Sequence, residues 1–181
     1  PGRELIVHGR VADDRIDRLV EEVEAAGGAA RKLITPIEHA ENITEELDAL
    51  LPLDILVVSF GPLMRAPVAD TAVTDWRRMA ELNLVMPAAL VSACLPSMME
   101  RNYGRILLFG GTGTDRLRGY ATIAAYSAAK TGLATVVKST ARQVADYDIR
   151  INAICPGYVD TEYYGEDERA RARRVAPGGR M

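Results

Sequence analysis

Histidine and cysteine are scarce in this chain, two of each among 181 residues, and their placement excludes several chemistries. His8 and His39 stand apart from each other and from both cysteines, so no metal-ligand spacing exists. Cys94 and Cys155 are equally isolated. Both lie in apolar runs, VSACLP and INAICP, which fits buried free thiols in a reducing compartment and not a disulfide framework. A basic excess is missing too: the net charge of -3 argues against a nucleic-acid partner, because phosphate binding favours a basic face. Nor is there a long unbroken apolar run. The stretch LVMPAALVSACLPSMM, from Leu84 to Met99, is interrupted by two prolines and two serines. It falls short of the roughly 18 continuous apolar residues that span a bilayer. The chain starts PGRELIVHGR and runs directly into a strand-like segment, so a signal peptide is not expected. The expectation is a cytoplasmic protein without a membrane partner, and the absent initiator methionine points to a natural start before Pro1.

What is present describes an ordinary soluble domain. With 48% hydrophobic and 26% charged residues, the chain has enough apolar material for one full core, and its length suits a single domain better than two. Short apolar runs alternate with helix-like segments. ELIVH (4–8) reads as a strand, and residues 11–26 place Val11, Ile16, Leu19, Val20 and Val23 near a helical period that ends at Gly27-Gly28. ARKLIT is a second strand. NITEELDALL is a helix with Asn42 or Thr44 as N-cap, stopping before Pro52. LDILVVSF (53–60) is apolar on both faces, as a central parallel strand would be. Residues 74–102 form one long helix capped by Thr74, in which Pro87 loosens a turn. GRILLFG (104–110) is a strand. Residues 123–146 form a second long helix, with Ala129, Leu133, Val136, Val137, Thr140 and Val144 on its apolar stripe. DIRINAIC (148–155) is a further strand, and a short helix falls within the last twenty residues. This alternation predicts an α/β domain with a doubly wound parallel sheet between helical layers. Ligands of such sheets sit beyond the carboxyl ends of the strands. Arg10, Ser59-Phe60-Gly61, Gly110 to Thr114 and Pro156-Gly157 all fall there.

Tyr126 and Lys130 are spaced i, i+4 on a strong helix and so share a face. A tyrosine is a poor acid–base group near neutral pH, and a neighbouring ammonium helps by favouring the phenolate. The pair suits proton transfer to or from an alcohol oxygen. By itself it equally describes a surface pair worth a few tenths of a kcal/mol.

The surrounding residues decide between these. YSAAKTGL, preceded by GRILLFGG and followed by DIRINAICPGYVDTE, closely resembles the short-chain dehydrogenase/reductase family. The resemblance covers nearly the whole chain and includes LDILVVSFGP, DWRRMAELNL with its helix asparagine, and PGYVDT. It implies a Rossmann-like fold and hydride exchange between a nicotinamide cofactor and a ketone or secondary alcohol. Tyr126 would be the general acid/base, and Lys130 would depress its pKa and bind the nicotinamide ribose. Asn83 would hold a water in a proton relay toward Lys130. Thr161 and the backbone from Pro156 through Gly157 to Val159 would position the carboxamide, with Ser59, Phe60 and Gly61 along the nucleotide. Asn83 as a backbone partner at a helix irregularity, Pro156-Gly157 as a plain turn and Thr161 as a helix cap are the structural alternatives. Arg10, basic after a strand, favours NADP(H) over NAD(H), with Asp13 or Asp14 competing for that position. The resemblance also implies a homodimer or homotetramer paired through the two long helices.

Three departures stand against that pattern. No glycine-rich phosphate loop precedes the strand at 4–8, so a strand–helix unit of about 20–40 residues is expected before Pro1, and a further segment after Met181. Without that unit, residues 4–8 and 53–59 are not expected to pair. Phe60 replaces a small residue where cofactor and backbone should approach closely, and either stacks on a ring or obstructs the site. The family's catalytic serine is absent: alignment by the strand puts Gly111 at its position, and counting back from Tyr126 gives Gly113. Thr112, slightly preferred, or Thr114 would supply the hydroxyl. If neither does, the chain is a slow or repurposed member that acts through cofactor binding or assembly.

Overall fold

Asp13 shows how local chemistry sets the first element boundaries. The computed structural model describes residues 4–160 and 165–180 and divides into two compact units, Pro1–Leu50 and Leu51–Met181. In the first unit, strand β1 (Glu4–Gly9) leads to helix α1 (Asp14–Ala25), strand β2 (Ala29–Ile34) and helix α2 (Ala40–Asp48). The Asp13 carboxylate accepts the Arg15 and Ile16 backbone N–H groups at 3.1 and 3.2 Å, which starts α1. The Arg15 side chain also donates to it, and these bonds hold the Asp13 carboxyl below its ordinary pKa. Val11, counted on the apolar stripe, instead precedes the helix and is exposed.

β1 and β2 pair in parallel from Glu4↔Ala29 to Gly9↔Ile34. Near their ends, His8 Nε2 lies 2.9 Å from the Thr35 carbonyl oxygen, and burial pushes the imidazole pKa down. α2 corrects the sequence reading at its start. The helix begins at Ala40, two residues before Asn42, and Thr44 Oγ1 donates back to Ala40 O and Glu41 O inside the first turns. A threonine so placed satisfies helix carbonyls and caps nothing.

The second unit runs β3 (Ile55–Val58), α3 (Val73–Ala80), a π-helical turn (Glu81–Val85), α4 (Met86–Glu100), β4 (Gly104–Phe109), α5 (Ala124–Gln143), β5 (Ile149–Ile154) and α6 (Glu166–Val175). Its sheet has the order β3-β4-β5, all parallel. Leu56, Val58, Ile106, Leu108, Ile149 and Ile151 alternate along the strands into a core with Met98, Leu133 and Val144 from the helices. Fully burying such side chains stabilises by roughly 1.5–3 kcal/mol each.

β3 is shorter than its apolar run and is buried on one face only: Ile55 and Val57 are 42% and 55% exposed. Among the described residues it pairs with β4 alone, and no ladder joins the two sheets. Two parallel sheets with crossover helices are the α/β architecture the alternation predicts.

α3, the π turn and α4 form one continuous helix, Val73–Glu100. It starts without a Thr74 cap; the Asp75 carboxylate accepts the Ala72 N–H instead, at 3.3 Å. By length and composition it meets the criterion for crossing a membrane, with a mean hydropathy of 1.6. In this unit it packs against α5, β3 and β4 as a core helix, with 44% of its most apolar 18-residue stretch buried.

Candidate functional site

Pro87 lacks an N–H, and its ring would press on the carbonyl four residues earlier, that of Asn83. The helix answers with a π turn, in which the Met86 N–H reaches back five residues to Glu81 O. Asn83 lies within this widened turn and is fully buried. Its Nδ2 donates to Pro62 O at 3.1 Å and contacts Met79 Sδ at 3.8 Å. Among the described residues its Oδ1 has no hydrogen-bond partner. An unmatched buried carbonyl costs about 1–3 kcal/mol, so this atom marks a place where a polar ligand or water fits.

Lys130 is 3% exposed and sits on α5 one turn after Tyr126. Its Nζ donates to Phe109 O at 2.7 Å and more weakly to Phe60 O at 3.4 Å. Burial lowers its pKa to about 8, against a smaller opposing effect from Cys155. The amine therefore remains mostly charged near neutral pH and changes state just above it.

Gly61 joins the two residues. It has φ +154°, and a Cβ there would run into Asn83 Oδ1 and stand 2.6 Å from Lys130 Nζ. The segment after β3 can cross the Asn83–Lys130 pair only because residue 61 has no side chain. Phe60, the large residue expected to stack or obstruct, contributes its carbonyl to Lys130 while its side chain is half-buried.

The phenol end is built differently. Tyr126 is half-buried, and a Cβ placed on Gly111 would be 2.7 Å from its hydroxyl and 2.9 Å from Cε1. Gly111 is the strand-aligned position of the missing serine, so the phenol occupies the space that a side chain would need.

Both threonine hydroxyls are engaged. Thr114 is fully buried; its Oγ1 accepts the Gly111 N–H at 2.8 Å and donates to Gly111 O at 2.9 Å, closing the loop on itself. Thr112 is exposed and donates to Pro156 O at 2.9 Å, which ties the β4–α5 loop to the segment after β5. Cys155, expected to be buried, is half-buried there, with Sγ 4.0 Å from Thr114 Oγ1. Cys94 is fully buried, and that burial raises its thiol pKa to about 11.

The structure thus brings Asn83, Gly61, Phe60 and Lys130 together, with Tyr126 on the same helix face as Lys130 and against Gly111. Ser59, Gly157 and Val159 are exposed at strand ends in the second unit, and Pro156 is half-buried. Arg10 is exposed after β1 in the first unit and makes no ion pair among the described residues. Thr161 lies outside the described residues. Asp13, the competitor of Arg10, is occupied as the α1 cap.

Sequence reading missed the carbonyls of Phe60, Pro62 and Phe109 as partners of Lys130 and Asn83, and that of Pro156 as the partner of Thr112, because backbone acceptors leave no mark in residue type. Met79 was findable: it precedes Asn83 by four on the same helix.

The family model described as short chain dehydrogenase matches residues 2–172. The chain is 27% identical over 164 residues to 2-dehydro-3-deoxy-D-gluconate 5-dehydrogenase of Formosa agariphila, covering 88% of this chain and 61% of the relative. It is 31% identical over 153 residues to 3-oxoacyl-(acyl-carrier-protein) reductase FabG of Escherichia coli, covering 82% and 62%. Among solved structures, 3-oxoacyl-(acyl-carrier-protein) reductase of Agrobacterium tumefaciens C58 with NADP bound superposes with a TM-score of 0.78. That match has 27% identity and covers 89% of this chain and 62% of that one. The chain spans about three fifths of the length of the curated relatives it matches. A Rossmann-like α/β fold, the buried Asn83–Lys130 pair and a family match over nearly every residue agree: the chain belongs to the short-chain dehydrogenase family.

Proposed function

We propose that the protein is a nicotinamide-dependent oxidoreductase that interconverts a ketone and a secondary alcohol, with Tyr126 and Lys130 as its acid–base pair. The observation that carries this reading is the buried Lys130 ammonium, held by two backbone carbonyls one helical turn from a phenol. In the reducing direction, Tyr126 gives its proton to the carbonyl oxygen. The Lys130 charge stabilises the phenolate left behind. Asn83 Oδ1, buried and without a partner among the described residues, holds the water through which that proton is replaced. Thr112 is the hydroxyl that takes the serine's part, exchanging Pro156 O for the substrate oxygen; Thr114, bonded twice to Gly111, stays a loop staple.

A nicotinamide cofactor supplies the hydride when bound. In the second unit the residues that would hold it are Lys130, Ser59, Phe60, Gly61, Pro156, Gly157, Val159 and Thr161; the preference for NADP(H) rests separately on the basic side chain of Arg10 after β1. The glycine at 61 and the unmatched Asn83 acceptor suit a polar ligand lying close to the backbone. A homodimer or homotetramer and a cytoplasmic location complete the reading.

One observation favours a second reading, a family-fold protein that binds cofactor or assembles without turnover: both loop hydroxyls already have protein partners. Turnover of a ketone panel with NADPH and NADH separates the two. Wild type is expected to reduce at least one ketone, and Tyr126→Phe to lose roughly a thousandfold in kcat while still binding cofactor. If wild type and Tyr126→Phe are equally inactive while cofactor binds both, the second reading holds.

A further inference from the structure

The loop between β4 and α5 carries a cation that the proton chemistry does not use. Among the described residues Arg118 makes no ion pair and no hydrogen bond, whereas its neighbour Arg116 faces the Asp115 carboxylate at 3.5 Å. Arg118 is nevertheless placed. Its guanidinium lies 5.6 Å from the centroid of the Tyr120 ring. Its Nη1 and Cδ would be 3.5 and 3.8 Å from a Cβ on Gly113, where φ is +70°. The arginine therefore rests in the space left by a residue without a side chain, at a bend that favours glycine.

Its support is tied in turn to the candidate site. Tyr120 donates its hydroxyl to Thr112 O at 2.7 Å, and Thr112 donates to Pro156 O. Two residues before Gly113, the Gly111 backbone lies against the Tyr126 phenol. At the other end of the loop, the Ala66 N–H bonds Thr122 O at 2.7 Å, which anchors it just before α5. An oriented guanidinium without an anion, on a loop fastened at both ends beside an acid–base tyrosine, is a receptor for a planar or multidentate oxyanion.

Building on the oxidoreductase reading, we infer that Arg118 selects carbonyl substrates that carry an acidic group, a carboxylate or a phosphate, by binding that group while Tyr126 addresses the carbonyl. Arg118 acts here as a specificity residue. It takes no part in the proton transfer.

The test uses the full-length protein with cofactor. Its probes are 3-oxo acids of four to six carbons beside their methyl esters, and dihydroxyacetone phosphate beside dihydroxyacetone. The acid of at least one pair is expected to have a kcat/KM about tenfold above its neutral partner, mainly through KM. Which pair responds tells carboxylate from phosphate. Arg118→Gln should bring that ratio close to one, and Arg118→Lys should restore part of it. Equal use of acid and neutral partner by wild type, or an acid preference that survives Arg118→Gln, overturns the inference. If no ketone is turned over, the oxidoreductase reading fails separately, and saturation-transfer NMR of the same acids on the holoprotein decides the anion site. Binding that Arg118→Gln removes sustains the site; no binding, or binding equal in both proteins, refutes it.

Discussion

Around Lys130, segments from three parts of the chain converge on two buried polar groups; on the β4–α5 loop, polar groups mostly bond within their own loop or its neighbour. Lys130 Nζ draws on carbonyls after β3 and at the end of β4, Asn83 comes from the π turn, and Gly61 passes across both. None of these can move alone in a packed interior. Thr114 bonds Gly111 in the interior of the loop, while Thr112 bonds Pro156 and Tyr120 bonds Thr112 at the surface. The lesson is a division of constraint. Under the proposed function, the buried half fixes where a proton is handled, while the loop is free to change which molecule is presented to it.

Substitutions that exchange the character of the two halves sharpen this contrast. Gly61→Ala should have the largest effect. Its Cβ meets Asn83 and Lys130 at an unfavourable φ, so we expect a loss of about 3 kcal/mol in denaturant unfolding and no measurable turnover. A stable, active Gly61→Ala would mean that the buried half is not rigid. Thr112→Val comes next, with kcat lower by about a hundredfold if its hydroxyl turns to the substrate, and Thr112→Ser near wild type. A near-wild-type Thr112→Val would leave that hydroxyl as a loop tie only. Gly111→Ser, which restores the family residue by strand alignment, should lower kcat about tenfold, since its Cβ crowds the Tyr126 phenol. A gain in activity would show that the loop relaxes around it.

The last contrast concerns pH and is read in stability. Lys130 has a folded-state pKa of about 8, below the ordinary lysine value near 10.4, so the unfolded chain binds more protons between these values. Relative to Lys130→Met, wild type should therefore gain about 3 kcal/mol as pH rises through that window. A constant difference across it would place the Lys130 pKa at its ordinary value.

The helix spacing of Tyr126 and Lys130 was legible because the i, i+4 rule is local, and so was the loosened turn at Pro87, which follows from a missing N–H. Strand and helix order was legible for the same reason: apolar period reports directly on burial. What escaped depends on contacts distant in sequence. The exposed face of β3 could not be inferred from an apolar run alone, because ILVV fits a strand covered on one face or on both. The start of α2 escapes the sequence because threonine satisfies helix carbonyls as readily as it caps, and at α3 Asp75, not Thr74, accepts the free N–H. The apolar neighbours of Cys155 point to a core thiol, yet β5 ends just before it and leaves it half-buried. The partners of both loop threonines are backbone atoms, which no residue type announces.

The central claim is that Tyr126, supported by Lys130, carries a proton during hydride exchange with a ketone. Deuterium transfer from C4-labelled cofactor into the alcohol product, followed by mass spectrometry, tests it most directly. The account predicts one deuterium at the carbinol carbon with wild type and no product above background with Tyr126→Phe, although that variant still binds cofactor. Equal labelling by both proteins, or none from wild type with any ketone tried, would contradict it.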